Sequence, residues 1–176
     1  VVDAGGDDDR ATSLGVGGRQ GKRSAPTVWN SAFMSVLFWD GRATSLEEQA
    51  KGPLVNPVEM AMPDHAAVVA RLRRIPGYVS GFRAAFGDSD PLTIDNVARA
   101  IAAYERTLLA PDSPVDRYLK GERGALSAQA RNGMRLFDQV GCVRCHNGPN
   151  YAGLIVREGA LFYPWNSAPS RTMRPA

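Results

Sequence analysis

The sequence is poor in the features that mark disulfide scaffolds, membrane spans and nucleic-acid binders. Its 176 residues include two cysteines and two histidines, too few for a disulfide framework. The longest uncharged apolar stretch, residues 24–39, contains Pro26 and Asn30 and is too short to span a bilayer. The formal net charge is only +3, with no block of like charges, so we expect no nucleic-acid partner.

The rest of the composition indicates a folded globular chain. Hydrophobic residues make up 44% and charged residues 22%, and the length suits one domain or one and a part. Residues 1–25 are rich in glycine and have almost no apolar periodicity, which predicts an extended lead. Because the chain begins at Val1 without a targeting segment, we expect a mature product or a part of a longer protein.

Helical periodicity dominates the chain after this lead, and no long stretch alternates with period two. Ser45 followed by Glu48 is a capping box, which predicts a short helix over residues 46–51 that ends at the Gly-Pro pair 52–53. A loop is expected over residues 54–63. The fold class that this pattern predicts is all-α.

Caps and prolines mark four further helices, and a short helix is also expected over residues 115–119. Asp64 is expected to cap one, Pro76 to begin the next, and Thr93 to begin an amphipathic helix that runs until Pro111. Ser127 is expected to begin the last, with Gly141 as its stop. The apolar positions expected to share helix faces are Val68, Leu72, Ile75, Val79, Phe82, Phe86, Ile94, Val97, Ile101, Tyr104, Leu108, Ala130, Met134, Phe137 and Val140.

One motif carries specific chemistry, the pentapeptide Cys-Val-Arg-Cys-His at residues 142–146. This is the pattern of c-type haem attachment. Two cysteines three positions apart reach the two vinyl groups of one porphyrin, and the adjacent His146 then lies under the iron as its axial ligand. The sequence therefore predicts one covalent haem c, bound by Cys142, Cys145 and His146, with His146 as the metal ligand.

Two other interpretations of the pentapeptide are less consistent with the sequence. With His65 the two cysteines and His146 would supply a zinc set, but a histidine directly after the second cysteine is badly placed to complete the same tetrahedron. A thioredoxin-like site needs a preceding strand and a βαβ unit, and the sequence predicts neither. We expect His65 to be a solvated or capping residue at a helix start.

Covalent haem also bears on location and on the second axial ligand. Thioether attachment needs reduced cysteines and export machinery, which predicts a periplasmic protein. The second ligand sets whether the iron transfers electrons or binds peroxide. The candidate methionines are Met34, Met60, Met62, Met134 and Met173. Met134 is better interpreted as a core residue of its helix, and Met173 lies downstream of the motif, where such ligands usually occur, but in a tail without periodicity.

Several blocks of sequence closely resemble the bacterial di-haem cytochrome c peroxidase family, which includes MauG-like proteins. They occur in the family's order between about residues 11 and 155. The blocks are RSAPTVWN (23–30), FWDGRA (38–43), LEEQAKGP (46–53), NPVEM (56–60), IAAYERTL (101–108), DRYL (116–119) and GCVRCHNG (141–148).

The resemblance implies two cytochrome-c-like helical domains and a division of labour between two haems. It makes His146 the ligand of an electron-transfer haem, and it matches Trp39 to a tryptophan between the haems that serves as an electron relay. Trp39 is equally interpretable as a core aromatic. The resemblance matches Glu59 and Gln49 to the distal polar pair of a peroxidatic haem, where a carboxylate moves a proton between the peroxide oxygens and an amide orients them.

Three departures from the family pattern qualify these implications. The chain has no N-terminal Cys-x-x-Cys-His, so the second haem would be attached upstream, and we expect the chain to be a fragment that is inactive alone. Val16 stands where many members place a histidine, and Ser24 where an asparagine that helps to bind calcium is common. The sequence of residues 162–176 does not resemble the segment that usually follows in the family, so we expect the C-terminal domain to be incomplete in this chain.

The segments expected from the resemblance are an extended lead (1–25), a partial peroxidatic domain with linking helices (26–110), the start of the C-terminal haem domain (111–161) and an irregular tail (162–176). The expected activity is reduction of hydrogen peroxide to water with electrons from a small c-type cytochrome or cupredoxin. A mono-haem electron carrier and a MauG-like enzyme that oxidises a protein are the alternatives. Calcium and a homodimer are both compatible with the sequence.

Overall fold

The computed structural model describes residues 6, 8, 10–87, 89–148, 150–151, 155–157 and 160–162. The helices are α1 (Leu46–Val55), α2 (His65–Arg73), α3 (Pro76–Phe86), α4 (Ile94–Glu105), α5 (Pro114–Leu119) and α6 (Ala128–Gln139). Short 3-10 turns lie at Val16–Gly18, Ser31–Phe33, Arg123–Ala125 and Cys142–Arg144. Two three-residue strands, β1 (Ile155–Arg157) and β2 (Ala160–Phe162), pair as an antiparallel hairpin. The predicted all-α class is confirmed, because this hairpin is the whole strand content of the described residues.

The chain forms two compact units. The first unit comprises Val1–Ala32 with Val36–Leu108, and the second comprises Phe33–Ser35 with Leu109–Ala176. The segment boundaries expected from sequence remain a prediction. Residues 1–5, the tail beyond Phe162 and Met173 lie outside the described residues.

Side-chain caps begin the helices where the sequence predicted them. Asp64 accepts a hydrogen bond from the Ala67 amide, Thr93 from Asn96, and Ser127 from Ala130. These bonds satisfy amides in the first turn that have no partner within the helix. Pro76 begins α3 as predicted, since a proline at the first helical position loses no hydrogen bond.

The predicted end of α1 is wrong, because the helix continues through Gly52 and Pro53 to Val55. Pro53 lies in the last turn, where its missing N–H costs one helical bond, and the Asn56 amide still bonds to the Gly52 carbonyl at 3.1 Å. A Cβ at Gly52 would lie 3.2 Å from Cζ of Phe38, so any larger residue there needs that ring to shift slightly. The predicted loop therefore begins two residues later than expected.

The predicted end of α4 is also wrong, because the helix stops at Glu105, well before Pro111. The Thr107 hydroxyl donates to the Tyr104 carbonyl at 2.7 Å, and the Asn30 amide donates to the Leu108 carbonyl at 2.9 Å. The first bond takes up a main-chain oxygen of the last helical turn, and the second holds the chain three residues beyond it, so the chain turns away before Pro111.

The core of the first unit lies where α4 meets α1 and α3. Ala98 and Ala102 are completely buried, and their small side chains allow α1 to pack closely with Leu46 and Ala50. A second cluster joins α3 and α4 through Phe82, Leu92 and Val97. Among the expected face residues of α4, Tyr104 is 56% exposed instead. It lies beside the early helix end described above.

Two ion pairs join α1 to α4 along its exposed edge. The Lys51 ammonium lies 2.5 Å from the Asp95 carboxylate, and the Arg106 guanidinium donates to both oxygens of Glu47 at 2.7 and 3.1 Å. The hydrogen bonds from Arg106 hold the pKa of Glu47 below its ordinary value of 4.5. A lowered pKa means that this pair stabilises the fold above the ordinary value and loses its effect as pH falls through the folded value.

The pH dependence of stability tests this pair. We expect Arg106→Gln to lower the free energy of unfolding by about 0.2–1 kcal/mol at neutral pH, since the pair is largely solvent-exposed. The difference from wild type should shrink as the pH falls well below 4.5, because protonated Glu47 no longer needs the guanidinium. Urea unfolding at neutral pH and over a series of acidic pH values measures it. Arg71→Gln, which removes an exposed positive charge from α2, should show no such pH-dependent difference; an equal one would contradict the assignment.

The second unit is built from α5 and α6 and the turns that flank them. Ser113 and Asp116 form a reciprocal capping box at α5. On α6, Met134 and Phe137 are half-buried as expected, but Ala130 is exposed and Val140 is 71% exposed. Val140 follows the last helical residue, and the left-handed Gly141 turns the chain directly after it, so its side chain leaves the helix face.

Candidate functional site

The pentapeptide at residues 142–146 is folded into one tight turn after α6. Gly141 adopts a left-handed conformation with φ of 86°, and Cys142–Arg144 continue as a 3-10 turn. The amides of Cys145 and His146 both donate to the Cys142 carbonyl, at 3.1 and 2.8 Å. Both cysteines are free thiols and half-buried. The turn thus places two thiols and the imidazole within a few residues of the end of a helix.

The imidazole of His146 is held by its Nδ1 atom. Nδ1 lies 3.2 Å from the Tyr151 carbonyl oxygen, which can only accept a hydrogen bond. The proton therefore sits on Nδ1, and the lone pair of Nε2 is available for a metal, as second-shell carbonyls commonly arrange. The Phe137 ring contacts the imidazole edge with ring centres 6.2 Å apart.

Tyr151 closes the other side of this cluster. Its ring meets that of Phe137 edge-on at 6.1 Å. Burial raises the pKa of the Tyr151 phenol, and the charge of Asp116 adds to the shift, so the phenol stays neutral at physiological pH. The rings of Phe137 and Tyr151 thus pack together beside His146, which is itself exposed.

These residues fit a covalent haem c. Two accessible thiols and a free Nε2 are the donor set that the group needs, and Leu136 and Val140 of the same unit expose apolar surface that a macrocycle could cover. Zinc has no comparable support. Among the described residues no group of three or more His, Cys, Asp or Glu side chains is arranged to hold a metal ion by itself, and Nε2 of His65 lies 3.1 Å from the Lys51 carbonyl. His65 is half-buried and bonded to the main chain of α1, so the expectation of a solvated side chain is wrong.

Glu59 lies in the loop that follows α1, residues 56–62. Its Oε1 accepts a hydrogen bond from Nδ2 of Asn56 at 3.0 Å, and its amide donates to the Asn56 carbonyl at 3.0 Å. Asn56 is the C-terminal cap of α1. The helix end therefore fixes both the main chain and the carboxylate of Glu59, which is half-buried.

Gln49 lies on α1 seven residues before Asn56, which puts the two on one face of the helix about 10 Å apart along its axis. Gln49 is half-buried. The family resemblance matches Gln49 and Glu59 as a pair; in the structure Gln49 lies on α1 and Glu59 in the loop that follows it. No hydrogen bond between their side chains is among those of the described residues.

Trp39 stands in a tight turn and is 55% exposed, so its interpretation as a core aromatic is wrong. The indole Nε1 donates to the Ser24 carbonyl at 2.9 Å, which fixes the ring. The turn is braced by Arg42, whose guanidinium lies 3.4 Å from the centre of the Phe38 ring and pairs with Asp40 at 2.8 Å. The turn holds the indole outward on a stiff support.

Residues 15–19, which we call the clasp, contact the Glu59 loop and were missed from sequence. The Val16 amide donates to the Glu59 carbonyl at 2.8 Å, and the Arg19 guanidinium donates to the Pro57 carbonyl at 2.6 Å. A Cβ on Gly15 would lie only 1.9 Å from the Val58 carbonyl oxygen. This part of the predicted extended lead is therefore folded against the loop. The sequence signals in this segment were its glycines and Val16, which stands where many family members place a histidine.

Comparison with known proteins decides the family. Residues 1–124 match the family model described as di-haem cytochrome c peroxidase. The chain belongs to this family. Haem is the cofactor that the family name gives, and the predicted resemblance, MauG-like members included, is confirmed.

Individual peroxidase-family relatives cover most of this chain. Cytochrome c551 peroxidase of Pseudomonas aeruginosa is 50% identical over 153 residues, covering 86% of this chain and 44% of the relative. The methylamine utilization protein MauG of Methylophilus methylotrophus is 44% identical over 128 residues, covering 71% and 38%. A crystal structure of a MauG-like protein associated with microbial copper homeostasis superposes with a TM-score of 0.73 at 30% identity, covering 89% and 47%. The chain thus spans less than half the length of these family members.

No helix among the described residues is both long enough and apolar enough to cross a membrane. Met34, Met60, Met62 and Met134 also lie within the described residues. The choice among the candidate methionines for the second axial ligand stays a prediction.

Proposed function

We propose that this chain is the part of a haem peroxidase that reduces hydrogen peroxide to water with electrons from a small soluble donor, a c-type cytochrome or a cupredoxin. The observation that carries the proposal is Glu59, a half-buried carboxylate fixed at both its main chain and its Oε1 by Asn56. The names of the peroxidase relatives support the same activity. The balanced reaction takes one peroxide, two electrons and two protons to two waters.

Each residue of the site would contribute one function. Haem iron, when bound, supplies the electrons and the coordination position at which peroxide is reduced. Glu59 would take the proton from one peroxide oxygen and return it to the other, which is general acid and base catalysis by a single carboxylate. Gln49 would orient peroxide or water with its amide, because an amide donates and accepts hydrogen bonds but transfers no proton at neutral pH.

Electron entry would occur at the pentapeptide. Cys142 and Cys145 would anchor one haem by thioethers, and His146 would bind its iron through Nε2 while the Tyr151 carbonyl fixes the ring. Both cysteines of the chain belong to this one site, so the second haem of a di-haem protein would be anchored outside these 176 residues. Trp39, braced and exposed, would relay electrons toward that haem.

The location and partners follow from the same chemistry. Covalent attachment of haem c by export machinery supports a periplasmic location. Calcium near Ser24 and a homodimer remain predictions, and the Ser24 carbonyl is already engaged by the Trp39 indole.

A MauG-like oxidation of a protein substrate is the second candidate, and it is favoured by the exposed indole of Trp39 and by the MauG relatives. A donor-coupled assay separates the candidates. The haem-loaded protein that contains this chain is given a reduced small c-type cytochrome and hydrogen peroxide. A peroxidase should oxidise two donor molecules per peroxide in sustained turnover. Stoichiometric oxidation of an added protein without donor turnover would favour the MauG-like activity, and absence of any reaction with peroxide would leave an electron carrier.

A further inference from the structure

The clasp holds the Glu59 loop at three successive residues. The Arg19 guanidinium binds the carbonyl of Pro57, the backbone of Gly15 lies against the carbonyl of Val58, and the Val16 amide binds the carbonyl of Glu59. A segment about forty positions away in sequence therefore fixes the main chain that carries the proposed proton carrier.

The clasp completes a set of constraints that Asn56 begins. Asn56 accepts a hydrogen bond from the Glu59 amide and donates one to Oε1 of Glu59, and Val16 of the clasp donates one to the Glu59 carbonyl. Both main-chain polar groups of Glu59 and one oxygen of its carboxylate are then hydrogen-bonded. Loss of the clasp would free one side of the loop while leaving the Asn56 bonds in place.

Arg19 is the side chain through which this constraint acts. Its bond to Pro57 is charge-assisted and short, whereas the other two clasp contacts are made by main-chain atoms. Arg19 itself is exposed, so its replacement creates no cavity and removes no buried charge. Its loss should therefore move the loop locally and leave the core of the unit unchanged.

We propose that Arg19 is a positioning residue for Glu59, holding the loop so that the carboxylate meets bound peroxide in the productive geometry. This rests on the proposed function. Proton transfer depends steeply on geometry, and a displacement of about 1 Å by a residue outside the chemistry can cost about 100-fold in rate.

Arg19→Ala tests the proposal in the haem-loaded protein that contains this chain. We expect peroxide turnover to fall about 10- to 100-fold through kcat, with little change in KM for the electron donor and an unchanged melting temperature. Arg19→Lys keeps a charged donor and should recover part of the loss. Arg23→Ala removes an exposed charge four residues away and should retain full turnover.

A double-mutant cycle with Glu59→Gln shows whether Arg19 acts through the carboxylate. If it does, Arg19→Ala should have almost no further effect once Glu59 is Gln, because the group it positions is gone. Independent losses that multiply would overturn the proposal.

Hydrogen exchange of the Val16 amide gives a readout that does not depend on activity. Arg19→Ala should speed this exchange about tenfold, since the amide's bond to the Glu59 carbonyl loses its support. Unchanged exchange would show that Arg19 does not hold the loop. If Glu59→Gln retains full turnover, the proposed function fails, whereas full turnover of Arg19→Ala beside an impaired Glu59→Gln defeats the positioning role alone.

Discussion

Glu59→Gln should lower the rate of peroxide turnover by about 10²- to 10⁴-fold, the range that a positioned general acid and base contributes. Glutamine has nearly the same shape and can still take the hydrogen bond from Asn56 through its amide oxygen. It has no carboxylate to carry a proton between the peroxide oxygens. Steady-state turnover with a saturating reduced donor measures the loss, and the haem spectrum of the unreacted protein should be unchanged.

Glu122→Gln is the matched control for this experiment. Glu122 is an exposed carboxylate of the second unit that lies 3.7 Å from Arg117, a separation at which a surface pair has little energetic value. Its replacement removes the same charge from the chain and should leave turnover within about twofold of wild type. If both variants, or neither, lost activity, Glu59 would not be the proton carrier.

His146→Ala should abolish electron entry while leaving covalent attachment intact. The thioethers depend on the two cysteines, but the axial bond depends on Nε2 of His146, which the Tyr151 carbonyl leaves free. Even residues that merely orient a ligand cost about 10- to 100-fold when replaced, so removal of the ligand should cost at least as much in donor-coupled turnover. Stopped-flow reduction by the donor measures the first step directly.

Tyr151→Phe is the control for the histidine variant. The contact to Nδ1 comes from the main-chain carbonyl of Tyr151, and phenylalanine keeps both that carbonyl and the edge-on contact with Phe137. We expect nearly wild-type reduction kinetics. If His146→Ala were reduced as fast as wild type, His146 would not be the iron ligand of the electron-entry site.

Local signals made much of the fold predictable from sequence. Asp64, Thr93 and Ser127 each accept a hydrogen bond from an amide in the first turn of the helix that follows, so the cap and its helix are encoded by neighbouring residues. Gly141 is equally local, since a left-handed turn after a helix favours glycine. The pentapeptide is also a local signal, because the spacing of its two cysteines and its histidine is by itself enough to predict haem attachment.

The two helix ends that were predicted wrongly depend on hydrogen bonds that the proline pattern does not show. α1 passes Pro53 because a proline in the last turn removes only one bond, and the loop amides of Met60 and Met62 return to the Pro53 and Leu54 carbonyls. α4 ends early where the amide and the hydroxyl of Thr107 both bond to the Tyr104 carbonyl, and the distant Asn30 holds the Leu108 carbonyl three residues beyond the helix. A rule that proline ends a helix describes neither case.

The surroundings of Glu59 could not be derived from periodicity at all. Its candidacy came from the family resemblance, and the clasp joins positions that sequence separates by about forty residues. Gly15 carries no signal beyond its identity, since its φ of −98° is open to any residue and only the nearby Val58 carbonyl excludes a side chain. Trp39 shows the same limit, because an aromatic within an apolar run gives no indication that it is exposed.

Mass spectrometry of the peptide that spans residues 141–147, from protein matured with the c-type haem machinery, tests the central claim most directly. The account predicts a peptide heavier than its bare sequence by one haem, and this mass should persist after acid and organic solvent have removed all non-covalent pigment. A peptide with the mass of the unmodified sequence and two titratable thiols would contradict it.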